Sequence, residues 1–180
     1  TNVVLDVGAG TFKPVEAETV EAHPIHQEWC AMDTQAIEEI MQTRAQGGRV
    51  LAIGTTSVRT IESYARLHAA ASAQDQGHAQ ALPDHLLTRL LITPGDRFLW
   101  TDCLLTNFHL PRSTLMALVA AMLESDRATR HTHQTHLESW GVLQSPDEPL
   151  GVTRLKAIYA LAIEEGYRFY SFGDAMLVLP

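Results

Sequence analysis

With 180 residues the chain is long enough to bury a substantial core, and one domain is the default expectation. Its formal charge of −8 argues against a surface that coats nucleic acid along its whole length, though not against a local basic site. No run reaches the roughly 18 apolar residues that a membrane span needs, and Cys30 and Cys103, with no CxxC pair, indicate neither a disulfide framework nor a zinc knuckle.

Two free thiols buried in strands are the simplest account of the cysteines, and a reducing cytoplasm is the expected compartment. Thr1–Val7 has no basic flank, no signal-like stretch and no initiator Met, so further sequence is expected upstream. Residues 71–88 and 124–150 resemble insertions. They hold seven acidic side chains against two arginines, five of the eight net negative charges, leaving about −3 for the rest. Lys13 and Lys156 are the only lysines; arginine, whose planar fork suits phosphate and carboxylate, supplies the other cations.

In chain order, Val3–Val7 is a short β-branched run ended by Gly8-Ala9-Gly10, a buried strand entering a tight loop. Pro14 and Pro24 punctuate an irregular stretch before a second strand, Glu28–Met32. Asp33-Thr34 offers a cap for a helix whose Ala36, Ile37, Ile40, Met41 and Arg44 recur at helical spacing until Gly47-Gly48. Arg49–Ile53 is the next strand, turning through Gly54–Ser57 into a helix that runs to about Ala70. This strand–helix–strand–helix order predicts an α/β fold with a mostly parallel sheet or barrel. Ala71–Gln80 reads as a surface excursion, and Leu90–Thr93 and Arg97–Leu105 as strands around Pro94-Gly95. Leu115–Leu123 and Val152–Glu165 read as helices, and Tyr167–Tyr170 and Ala175–Leu179 as closing strands.

Three turns follow expected strands, where α/β enzymes place their sites. In Gly8-Ala9-Gly10-Thr11-Phe12, two glycines let backbone amides approach a ligand, although glycines merely making a turn explain it equally well. In Gly54-Thr55-Thr56-Ser57, Thr56 or Ser57 can cap the helix and leave amide donors for a carboxylate, phosphate or ribose hydroxyl. Arg59 and Glu62 share that helix's face, either aimed at the site or simply paired at the surface. The third segment sets Thr106, Asn107 and His109 between an apolar strand and an apolar helix. Burying such groups without partners costs roughly 1–3 kcal/mol each, which favours a functional role. Ser171 and Asp174 lie in another polar turn. His23 and His26 with Glu28, or His131, His133 and His136, invite a metal; Pro24 breaks the first pattern, and no metal site is expected.

Taken in order, these blocks resemble the S-adenosylmethionine:tRNA ribosyltransferase-isomerases of the queuosine pathway. They are Val7–Phe12 with His23–Glu28, Gly54–Glu62, Ile92–Phe98, Thr101–Ala121 and Tyr167–Pro180. The resemblance implies part of a distorted α/β barrel, the C-terminal portion of a longer enzyme whose N-terminal barrel segment and inserted β-barrel domain lie elsewhere. It also implies a monomer when full length. No metal or redox cofactor is implied, because S-adenosylmethionine is consumed as a substrate. Its ribosyl part moves onto 7-aminomethyl-7-deazaguanine at the tRNA wobble position and rearranges to an epoxycyclopentane. Adenine and methionine leave, and epoxyqueuosine results.

That chemistry asks for a base at the ribose carbon beside the sulfonium, whose charge makes the proton acidic enough for a well-placed His. His109 is the first candidate and His26 the second, with Asp102 and Asp174 orienting a His, holding ribose or offsetting the sulfonium. Gly8, Gly10, Thr11, Phe12, His23, Gly54, Thr55, Thr56, Ser57, Thr106, Asn107 and Ser171 would line the substrate pockets, and Arg59 would hold the methionine carboxylate or a tRNA phosphate. The rivals are another nucleotide-binding α/β enzyme using the same glycine loops, and an inactive fragment that only binds tRNA or a partner.

Overall fold

The computed structural model describes residues 1–8, 14–20, 22–74, 82–124 and 148–179. Two three-stranded sheets share one apolar core. Strands β1 (Val4–Asp6), β2 (Glu28–Ala31) and β4 (His85–Thr88) form an antiparallel sheet in the order β1-β2-β4. In the second, β5 (Cys103–Asn107) lies between β3 (Leu51–Ile53), parallel to it, and β6 (Ala175–Val178), antiparallel. The α/β class is therefore as expected, but among the described residues only one of four ladders is parallel. Alternation of strands and helices orders the elements; it does not fix pairing. The long connections that precede β2 and β4 allow each strand to return antiparallel.

Helix α1 (Thr34–Ala45) starts where expected: the Asp33 carboxylate accepts the Ala36 N–H at 2.7 Å, and Ala36, Ile37 and Ile40 face the core. Helix α2 (Thr55–Gln74) overruns its expected end by about a turn and joins the two sheets. Its Val58, Ile61, Tyr64 and Ala65 enter the core, while the Thr60 hydroxyl reaches the Val4 carbonyl and Ser63 bonds Thr88 at 2.6 Å. Helix α3 (Thr114–Glu124) buries Leu118–Met122 and packs along α4 (Leu150–Glu164), as its apolar composition requires.

Residues 89–102 form no strand. Ile92 and Trp100 are buried, which accounts for the apolar pattern, but the amides of Leu99, Trp100 and Thr101 donate to the Glu62 carboxylate and not to a neighbouring strand. Residues 167–170 also differ from the strand expected there: Phe169 packs on Phe108 and Tyr159, and Tyr170 turns to φ +70. The segment 71–88, expected as a surface excursion at its start, ends in β4. Among the described residues no helix is long and apolar enough to cross a membrane. Cys30 and Cys103 are free and buried in strands, and burial pushes the Cys30 thiol up to about 11.

Candidate functional site

The parallel pair β3–β5 has its C-terminal edge where Gly54 and Thr106 emerge, and the Gly54 N–H donates to the Leu105 carbonyl at 2.8 Å. Gly54 takes φ +89, a left-handed turn open to glycine at little strain. Thr55 begins α2 directly, so neither Thr56 nor Ser57 is its N-cap. The Ser57 hydroxyl donates backward to the Ile53 carbonyl at 2.7 Å, and Thr55 is buried. Antiparallel β6 begins at this same edge, Ala175 lying opposite Asn107. The turn carrying Ser171 and Asp174 is thereby brought beside Thr106–His109.

His109 is fixed twice. Its Nε2 lies 2.8 Å from the Thr106 hydroxyl, and its backbone N–H donates to the Tyr159 hydroxyl at 2.8 Å. Burial holds its imidazole down to about 4, so the ring is neutral at physiological pH and can accept a proton. Asn107 donates to the Asp174 carbonyl at 3.1 Å. The Asp174 carboxylate accepts the Arg168 N–H at 2.7 Å and pairs with its guanidinium at 3.2 Å, which lowers its pKa below the ordinary carboxylate value. Asp174 is thus at the site's edge and committed to the turn.

Asp102 is at the wrong end. From Asp102 to Asn107 the extended chain runs about 17 Å, and Asp102 grips Arg44 at 2.9 Å and the Val50 N–H at 2.9 Å. It anchors the entry of β5 and does not approach His109. The carboxylate was expected at the site because it shares a sequence block with His109; the strand between them separates the two.

Arg59 and Glu62 are neither paired with each other nor on the surface. Arg59, 8% exposed, forms an ion pair with Glu28, 3% exposed, and donates through Nε to the Leu90 carbonyl at 3.2 Å. Glu28 also accepts the Gly8 N–H at 3.1 Å, tying the end of β1 to α2. Glu62 is fully buried, bonded to Arg66 at 2.7 Å and to three backbone amides. Gly10, Thr11, Phe12, His131, His133 and His136 lie outside the described residues.

His23 and His26 line a narrow cleft with Arg59, Leu90–Ile92 and the first turns of α3. Its cavity is about 20 Å³, room for a water but not for a nucleoside. A wider groove of about 440 Å³ opens between Val15–Val20 and Arg112–Ala117, just beyond His109 in the chain. That volume falls within the range of small-molecule sites. The Val15 N–H donates to the Arg112 carbonyl at 2.7 Å, and Arg112 adopts φ +53.

A half-buried neutral His at the edge of a parallel strand pair, beside an Asn-anchored Asp turn, agrees with a match over nearly the whole chain. The family model described as "Queuosine biosynthesis protein" covers residues 1–139 and 149–178. The chain belongs to the queuosine biosynthesis protein family. The S-adenosylmethionine:tRNA ribosyltransferase-isomerase of Magnetococcus marinus is 43% identical over 179 residues, 99% of this chain and 39% of that protein. The protein of the same name from Ruegeria sp. is 41% identical over 180 residues, 100% of this chain and 41% of its own length. The crystal structure of S-adenosylmethionine tRNA ribosyltransferase from Thermotoga maritima matches with a TM-score of 0.57 and 32% identity, over 84% of this chain and 41% of that one. The chain thus spans about 40% of the length of the curated relatives it matches.

Within this queuosine-family chain, sequence reasoning missed Tyr159, which fixes the His109 backbone, and the structural tasks of Glu28 and Glu62. Tyr159 gave a weak signal, a hydroxyl on the buried stripe of an apolar helix; such a group needs a partner.

Proposed function

We propose that this chain supplies the proton-transfer edge of a tRNA-modifying transferase-isomerase. The enzyme would move the ribosyl moiety of S-adenosylmethionine onto 7-aminomethyl-7-deazaguanine in tRNA, releasing adenine and methionine and forming epoxyqueuosine. His109 carries the reading: it is half-buried, neutral and held by Thr106 and Tyr159 at the strand edge where α/β enzymes act. In this role it takes the proton from the ribose carbon beside the sulfonium. The sulfonium makes that proton more acidic, and this must offset the lower basicity that burial gives the imidazole.

The Gly54 turn and Ser171 would border the nucleoside, and the open groove beside Arg112 is wide enough to receive part of it. Arg59 is better cast as a support for the Gly8 turn than as a ligand for carboxylate or phosphate, since Glu28 already occupies it. His26, beside Arg59 in the narrow cleft, is the alternative base. S-adenosylmethionine enters as substrate, with no further cofactor in the scheme. The two sheets would be portions of a distorted barrel completed by the part of the longer relatives that this chain does not span, with residues 71–88 and 124–150 as local elaborations. A monomer in the cytoplasm is the assembly and setting that fit this scheme.

The test is adenine release from S-adenosylmethionine by the full-length protein, with tRNA carrying the aminomethyl base. Wild type should turn over, and His109→Ala should lose at least about a hundredfold in kcat, the scale of a general base. Absence of adenine release by wild type would overturn the assignment of activity. Normal turnover by the variant would move the base to another residue. Assaying this 180-residue chain beside the full-length protein separates an enzyme from a piece that only binds.

A further inference from the structure

Phe172 is 98% exposed, so its ring touches almost nothing of its own chain. Yet the turn that carries it is built with care. Asp174 N–H donates to the Arg168 carbonyl at 2.8 Å, Gly173 N–H to Tyr170 at 3.0 Å, and the Asp174 carboxylate closes the loop on Arg168. A Cβ on Gly173 would lie 2.3 Å from the Arg168 carbonyl oxygen, so only glycine fits that position. Tyr170, beside it, holds the left-handed φ +70 and is itself half exposed, as is Tyr167.

The turn is also joined to the candidate site. Tyr170 N–H donates to the Phe108 carbonyl at 2.9 Å, one residue before His109, and Asn107 reaches the Asp174 carbonyl at 3.1 Å. A preorganised loop therefore presents an unpartnered phenyl ring at the edge where the base would act. Arg168, 74% exposed in its side chain, stands at the loop's foot and offsets the one carboxylate there.

Resting on the function proposed above, we infer that the Tyr167–Gly173 turn is a stacking platform for an unpaired base of the tRNA anticodon loop, with Phe172 against the base's face. Single-stranded RNA is gripped by such exposed aromatic rings, because every base offers a π-face and an unstacked loop base has no neighbour to leave. The ring's full exposure selects a base delivered by a large, separately anchored ligand. A free nucleoside needs walls on several sides to be held, and among the described residues none encloses the Phe172 ring. The turn's own carboxylate, Asp174, is offset by Arg168.

The experiment uses the full-length protein with Phe172→Ala, Phe172→Trp and an anticodon stem-loop RNA, read by direct binding at fixed salt. Steady-state KM values for tRNA and for S-adenosylmethionine, and a thermal melt, complete it. Phe172→Ala should weaken RNA binding and raise the tRNA KM about tenfold, at the scale of one lost base–aromatic stack. The S-adenosylmethionine KM and the melting temperature should not move, and Phe172→Trp should bind RNA at least as tightly as wild type. Unchanged RNA binding by Phe172→Ala, in a wild type that binds RNA and turns over, overturns the platform alone. A rise confined to the S-adenosylmethionine KM would put adenosine on the ring instead, and a lowered melting temperature would mean another part of the protein covers it; either outcome overturns the inference. A wild type that neither binds RNA nor turns over takes the proposed function down with it.

Discussion

Lowering the pH from 7 to 5 asks His109 to accept a proton that the folded protein disfavours. Burial holds the ring at about 4, against 6.5 for a free histidine. The unfolded chain therefore binds this proton in a pH range where the folded chain does not. Stability rises with pH wherever the unfolded state carries more protons. The folded protein keeps its full stability with respect to this group above the unfolded pKa, loses it progressively from 6.5 down to 4, and loses no more below that. At 1.36 kcal/mol per pKa unit, the whole window is worth about 3 kcal/mol, and about 2 kcal/mol is gone by pH 5. Urea unfolding followed by circular dichroism at the two pH values, on wild type and His109→Gln, isolates the group, because the carboxylates titrate alike in both proteins. Wild type should lose about 2 kcal/mol more than the variant. Equal losses would refute the claim that this imidazole is desolvated.

The other predictions concern the buried charges. Glu62→Ala strands three backbone amides and Arg66, and should destabilise the protein by about 3–5 kcal/mol in chemical denaturation, the range for breaking a buried pair. Arg59→Lys can keep the charge beside Glu28 but not the simultaneous bond to Leu90. A loss of about 1–3 kcal/mol is expected, and an unchanged melting curve would contradict the burial of this pair. Asp102→Asn should cost about 1 kcal/mol, because both partners are partly exposed, while leaving turnover per folded molecule within about twofold. A hundredfold loss of kcat in that variant would return Asp102 to the catalytic group.

The helices were legible because their signals are local. Asp33 caps α1 three residues from the amide it serves, and the apolar run of α3 has nowhere to go but the core. Strand pairing was not legible, because His85–Thr88 is four residues long and its partner β2 lies far back in the chain. The same distance hid the buried charges. Arg59 and Glu62 look like a surface pair within one helix turn, yet Arg59 finds Glu28 at 31 residues' separation and Glu62 finds its amides at 37 to 39. At the site, Thr106, Asn107 and His109 were readable because three polar groups between two apolar elements demand partners. Those partners are Tyr159 and the Asp174 turn, which only the fold brings within reach.

The sharpest test of His109 as base is isotopic. The full-length protein would be incubated with S-adenosylmethionine and a tRNA unable to accept the ribosyl group, in deuterated water, and deuterium at the ribose carbon bonded to sulfur followed by mass spectrometry. Exchange by wild type that disappears in His109→Ala, with S-adenosylmethionine still bound, is the expected result. Exchange at an undiminished rate in the variant would contradict the account.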